Sequence, residues 1–231
     1  MAIFSEQVAQ QLIDFLSTKL CFDEELYSHY YDDCCEEDED WYEDLRIQCG
    51  ADCLQHGASK IVLFYDDLPN WVVKLPLVGE YYEDEDSFKY FANANTGNSL
   101  VQDDYCAVEA YLTQEAEKHG IGDMFAKTFY LFKCDGVSVY VSEKMSFDYY
   151  SSYSFKDKIR STSLAQNMSK CFENIMDSNA FARFFDAYSE EQVYELISFI
   201  EQYCINDLHN CNMGYDIEWK IRLLDYSGFD Y

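Results

Sequence analysis

The chain has 231 residues, of which 16 are Lys or Arg and 44 are Asp or Glu, giving a formal charge of −28. With 48% hydrophobic and 18% aromatic residues it holds ample material for a packed core, so the acidity is not that of a disordered polyanion. A field of this sign repels phosphate backbones and anionic lipid. Direct nucleic-acid or membrane-surface binding is excluded as an expectation, and a cation or a basic protein is favoured as partner.

Only two prolines and nine glycines argue against long flexible linkers. No run approaches the roughly 18 apolar residues of a spanning helix, and the start lacks the basic-then-apolar plan of a signal peptide, which predicts a cytoplasmic protein. The ten cysteines are scattered and read as reduced thiols, mostly small core residues. Cys49, Cys53 and His56 would share one face if 49–56 were helical, a partial zinc set lacking a fourth ligand. A cysteine-bearing core face is the plainer reading.

In chain order, Val8, Leu12, Phe15 and Leu16 recur near helical spacing behind Ser5, which predicts a capped amphipathic helix over 5–20. The acidic run at 32–40 and a second at 80–86 read as solvated loops. Ile61–Tyr65 and Trp71–Leu75, joined by Asp66-Asp-Leu-Pro-Asn70, predict a β-hairpin. Residues 105–118 predict a helix packed through Val108, Tyr111, Leu112 and Glu115, stopped at Gly120. A second hairpin is expected from 126–132 and 137–142, turned by Cys134-Asp135-Gly136. Residues 146–189 are mixed, with apolar positions compatible with one or two helices in 164–188. Ser189-Glu-Glu-Gln192 is a capping box ahead of Val193, Leu196, Ile197, Ile200 and Cys204 at helical spacing. A polar loop follows, and then a strand, Ile221–Leu224, that delivers Asp225.

A strand pair holding a lysine, a helix holding a glutamate, a second hairpin, a helix feeding a loop with Asp and Asn five apart, and a strand ending in Asp together resemble the protein-kinase-like fold from residue ~57 onward. Asp207-Leu-His-Asn-Cys-Asn212 resembles the D-L-H-x-x-N catalytic loop of aminoglycoside and choline kinase-like enzymes. Asp225, thirteen residues later in Leu-Leu-Asp-Tyr-Ser-Gly, stands where the D-F-G motif belongs. Trp71-Val-Val-Lys74 resembles the kinase V-A-I-K strand. The Gly57-Ala-Ser-Lys60, Trp-Val-Val-Lys and Phe125-Ala-Lys-Thr128 phrases are also similar to those of small kinase-like proteins of bacterial phages and mobile elements.

The resemblance implies an α+β, compact, two-lobed kinase-like fold. It implies an acidic N-terminal helical extension over 1–48, an antiparallel-sheet lobe with one helix over 49–145, and a truncated helical C-lobe over 146–231. It further implies ATP and Mg²⁺ as cofactors, Asp207 as catalytic base and Asn212 and Asp225 as metal ligands. Lys74 would hold the phosphates and Glu109 would orient Lys74, with Glu115 the competing carboxylate. Gly57, Ser59 and Lys60 would form a phosphate-covering loop without the full glycine pattern, and Glu143 and Met145 would belong to an adenine-binding hinge. His209 would organise the catalytic loop.

Three departures stand against this: the incomplete glycine loop, Ile205-Asn206 in place of His-Arg, and only six residues after Asp225. Two functions follow as expectations. One is an ATP·Mg-dependent phosphotransferase of unspecified acceptor. The other is an inactive pseudokinase-like acidic protein that occupies a basic surface of a partner as a nucleic-acid mimic, in the manner of a phage anti-defence or anti-CRISPR inhibitor.

Overall fold

The computed structural model describes residues 4–22, 38–57, 60–76, 104–146, 184, 186–203, 205, 208 and 212–226, with the backbone alone at 38–41. Among these are four α-helices, α1 (Glu6–Leu16), α2 (Asp38–Gln48), α3 (Tyr105–Lys118) and α4 (Glu190–Gln202). The strands are β1 (Cys53–His56), β2 (Lys60–Phe64), β3 (Trp71–Pro76), β4 (Thr128–Cys134), β5 (Val137–Glu143), β6 (Met213–Tyr215) and β7 (Ile221–Leu223). No described helix is long and apolar enough to cross a membrane. The chain divides into two compact units, residues 1–110 with 128–144, and residues 111–127 with 145–231.

The first unit is built on a five-stranded antiparallel sheet in the order β1-β2-β3-β5-β4. Strand side chains alternate between faces, and the alternation here separates two environments. Ile61, Leu63, Trp71, Val73, Leu75, Val139 and Val141 lie on one face in a core shared with Leu12 and Leu16 of α1 and Leu45 of α2. The N-terminal helical segment is therefore part of this unit's core. Ser5 caps α1 through its hydroxyl, which accepts from the Val8 amide at 3.3 Å. The expected solvated loop at 32–40 gives way, from Asp38, to α2. That helix buries Leu45 and is followed by a turn of the buried Cys49 and Gly50, whose φ of +58° belongs to the left-handed region that favours glycine.

Both expected hairpins form. Lys60 faces Pro76, Ile61 faces Leu75 and Val62 faces Lys74 across β2 and β3. Asp135 and Gly136 carry the two positive φ values, +46° and +88°, that a tight type I′-like turn between β4 and β5 demands. A register shift between Tyr130 and Phe132 bends β4.

In the second unit α4 begins with the full capping box. The Ser189 hydroxyl accepts from the Gln192 amide and the Gln192 side chain accepts from the Ser189 amide. Val193, Leu196, Phe199 and Ile200 are its buried face, with Phe199 taking the place expected for Ile197. Phe125 packs edge-on to Phe199 at 5.5 Å and to Tyr226 at 4.9 Å between ring centroids. The short β6–β7 hairpin pairs Met213 with Leu223 and Tyr215 with Ile221. Most of 146–189 and both acidic runs, apart from the start of α2, lie outside the described residues.

Candidate functional site

The second face of the five-stranded sheet is polar where the first is apolar. Lys60, Lys74, Thr128, Tyr140 and Ser142 are all buried on it. Their positions follow from register. Lys74 is opposite Tyr140, Thr128 is opposite Ser142, and Lys60 lies diagonally from Lys74, two positions along β2 from the residue that faces it. The start of α3 supplies the acids that meet them.

Asp104 caps α3, its Oδ1 accepting from the Ala107 amide at 2.8 Å. Its Oδ2 accepts from the Tyr140 hydroxyl at 2.5 Å. Burial raises the Asp104 carboxyl above the usual carboxylate range, opposed in part by the hydrogen bonds from Tyr140 and the Ala107 and Cys106 amides. Glu109 follows one and a half turns later and is fully buried at 0% exposure. Lys60 Nζ donates to its Oε1 at 2.6 Å and Lys74 Nζ to its Oε2 at 2.6 Å. The Thr128 hydroxyl adds a bond to Oε2 at 3.1 Å and another to Ser142 Oγ at 3.2 Å.

The Lys74–Glu109 pairing expected from sequence is thus present. Glu115, the alternative carboxylate, is engaged elsewhere, with Lys118 at 2.5 Å and the Tyr203 hydroxyl at 3.3 Å. The Gly57 amide donates to the Lys60 carbonyl at 3.0 Å, closing the β1–β2 turn, and so is committed within the turn. Ser59 lies outside the described residues. Lys60 points to Glu109 on the sheet's polar face. Glu143 is buried at the end of β5, opposite Trp71, and Met145 is half-buried two residues on.

In the second unit Asn212 is buried directly before β6, and Asp225 is half-buried two residues after β7. The Asn212 carbonyl accepts from the Leu224 amide at 2.9 Å, so the hairpin ladder brings these two chain segments side by side. Asp207 and His209 lie outside the described residues, while Ile205 and Leu208 of the same loop are buried. Ile205, one departure from the kinase pattern, is a core residue at 1% exposure.

Tyr226 also has a local reason. Its hydroxyl donates to the Ala126 carbonyl at 2.9 Å, which leaves its oxygen to meet the Thr113 hydroxyl at 2.7 Å. A phenylalanine in that place would leave both without this partner. Beyond the hairpin, Arg222 holds Asp216 through Nε at 2.9 Å and Nη2 at 2.7 Å, both residues being buried. Burial pushes the Asp216 carboxyl upward, but the Lys220 amide, the Arg222 guanidinium and the Glu218 amide outweigh it and hold the carboxyl below its ordinary value.

Sequence reasoning missed this pair, the second lysine on Glu109, and the Asp104–Tyr140 bond. Only the last had a local signal, an Asp immediately before a helical stretch. The partial zinc set does not assemble. Residues 53–56 form β1 rather than a helix turn, His56 stacks on Tyr42 at 3.6 Å, and among the described residues no three His, Cys, Asp or Glu gather to hold a metal. Cys49 is a core residue whose thiol burial pushes up to about 12.

Compared with protein-family models, curated proteins and solved structures, this chain matches none.

Proposed function

We propose that this protein is an ATP·Mg-dependent phosphotransferase of kinase-like, two-lobed construction. The observation that carries the reading is the buried ion pair between Lys74 of β3 and Glu109 of α3. It is supported by a helix inserted between the third and fourth strands of an antiparallel sheet ordered β1-β2-β3-β5-β4. In phosphoryl transfer the protein positions reactants and offsets charge more than it performs covalent chemistry. A strand lysine fixed by a helix carboxylate suits that task, because Glu109 removes the rotamer freedom of a flexible ammonium and sets its direction.

In this reading Lys74 binds phosphate oxygens, Glu109 orients Lys74, and Asp207 accepts the proton of the attacking hydroxyl. Asn212 and Asp225 offer an amide oxygen and a carboxylate, hard oxygen donors of the kind Mg²⁺ takes, and the Leu224–Asn212 backbone bond fastens their two segments together. Mg²⁺, when bound, neutralises charge on the phosphate oxygens. Glu143 and Met145, at the end of β5 and just beyond it, are the candidates for contact with the base.

The test is binding and turnover with the full chain. At a hundredfold excess of ATP·Mg over its dissociation constant the melting transition should report about 2.7 kcal/mol of added stability. Asp225→Ala should remove that gain, and Asp207→Ala should keep it while losing transfer of the γ-phosphate. A wild-type protein that neither binds ATP·Mg nor consumes it overturns the reading. The excess of 44 acidic over 16 basic residues favours a second one, an acidic decoy for a basic protein surface. There, replacing the carboxylates of 32–40 with amides would weaken partner binding in a salt-dependent way while Asp207→Ala would not.

A further inference from the structure

The geometry points to a redox latch in the first unit. Cys21, shortly after α1, and Cys134, the last residue of β4, are the two halves of a disulfide that forms by exchange with a low-molecular-weight disulfide and pins the N-terminal helical segment to the β4–β5 turn.

The five described cysteines, Cys21, Cys49, Cys53, Cys106 and Cys134, are free thiols. Cys21 and Cys134 are brought together from opposite ends of this unit's sequence. After α1 a turn closes with the Leu20 amide donating to the Leu16 carbonyl at 2.8 Å, and the chain then passes the end of β4. The Cys134 thiol lies 3.7 Å from the Leu20 carbonyl oxygen, and the Phe22 amide donates to Asp135 Oδ2 at 3.1 Å. These two contacts straddle Cys21. The residue before it touches Cys134 and the residue after it touches Asp135, so the backbone of Cys21 is held beside Cys134, as a disulfide requires. Leu20 and Phe22 are buried in the same core as Cys49, which fastens the passing segment on both sides of Cys21.

The two thiols differ in the way that exchange needs. Cys21 is exposed and is the point of entry for an outside disulfide, whereas Cys134 is half-buried. Burial first, then the Asp135 carboxylate, then Cys21 itself push the Cys134 thiol up to about 11, an influence of Cys21 that requires the two sulfurs to be near each other. Cys49 is fully buried and stands behind them, out of reach of a reagent in solvent. In the first step the Cys21 thiolate attacks one sulfur of the small disulfide and releases one small thiolate. Cys134 then gives up its proton and attacks the Cys21 sulfur, releasing the second. Two electrons pass from the cysteine pair to the small disulfide, which leaves as two thiols carrying the two cysteine protons. A thiol of raised pKa is a poor leaving group, so the bond once made is slow to open by attack that expels Cys134. It closes a long loop, the kind of crosslink that most restricts the unfolded chain.

The test uses the full folded chain incubated with oxidised glutathione, followed by alkylation, proteolysis and mass spectrometry. A peptide joining Cys21 to Cys134 is the expected product, and it should vanish on treatment with a dithiol reductant. The oxidised protein should unfold at a higher urea concentration than the reduced one. Cys21→Ser and Cys134→Ser should each abolish both the joined peptide and the gain in urea midpoint, while Cys53→Ser, at an exposed cysteine of β1, should leave both intact. Because Cys21 is exposed, its serine variant keeps the comparison valid should Cys134→Ser fold poorly. Glutathione left attached to Cys21 without a joined peptide overturns the pairing, as does Cys134 joined to any other cysteine or a chain that takes up no oxidant. A Cys21–Cys134 bond that leaves the urea midpoint where it was overturns the latch.

Discussion

Glu109 and Lys74 stand 35 positions apart in the chain, yet Lys74 Nζ meets Glu109 Oε2 at 2.6 Å within the interior of the first unit. Replacing a carboxylate that two buried ammoniums share is among the more damaging single changes open to this fold. Glu109→Gln should cost about 3–5 kcal/mol, the usual penalty for removing one partner of a buried ion pair. Urea denaturation measures it through a lowered midpoint at constant slope. A loss below about 1 kcal/mol would mean that the carboxylate contributes little to stability.

The Tyr226 hydroxyl joins Ala126 and Thr113 inside the second unit. Tyr226→Phe should lose about 1–3 kcal/mol, because buried acceptors and donors left without a partner cost more than the bond itself contributes. A double-mutant cycle with Thr113→Val should show coupling, since removing both polar groups is milder than removing one.

Arg222 donates through both Nε and Nη2 to Oδ2 of Asp216, a buried ion pair inside the β6–β7 hairpin. The Asp216 carboxyl is held below its ordinary value. Its contribution is therefore fully present above the unfolded value of about 3.9 and is lost as pH falls through the lower folded value. Asp216→Asn should cost about 3 kcal/mol or more at pH 7, and the gap to wild type should close in strong acid. Chemical denaturation at a series of pH values reads this directly.

Asp104 behaves with the opposite sign. Burial raises its carboxyl, so its contribution is greatest below the unfolded value of about 3.9 and declines as pH rises through the folded one. Asp104→Asn retains a cap for α3 and titrates no proton. Wild type should therefore lose stability relative to Asp104→Asn as pH rises from about 4. A difference that grows in favour of wild type over that range would refute the assignment.

Local elements were legible wherever local chemistry decides them. Ser5 and Ser189 announce α1 and α4, Asp135-Gly136 announces a hairpin turn, and Gly120, at φ +73°, ends α3 as its place in the pattern implied. The segment before Gly50 was not legible. Its acidic residues look solvated, and α2 forms because Leu45 and Cys49 find the apolar sheet face, a non-local gain that propensity does not carry. β1 was hidden for a related reason. Only one of its four residues is even half-buried, so it has no strong alternation to read, and it is recruited through the ladder with β2.

The site divides in the same way. Glu109 on a helix and Lys74 on a strand follow from periodicity and motif, since residue type and spacing are properties of the chain alone. That Glu109 rather than Glu115 meets the lysine depends on which helix position faces the sheet. Glu115, six residues on, pairs with Lys118 and Tyr203 instead. That Lys60 shares the acid depends on strand register, which the pairing of Val62 with Lys74 sets. Sequence by itself determined the elements and the chemistry available to them. Tertiary structure decided which charges share a buried volume, because ion pairing between residues 35 and 49 positions apart is set by packing geometry and not by any local preference of the chain.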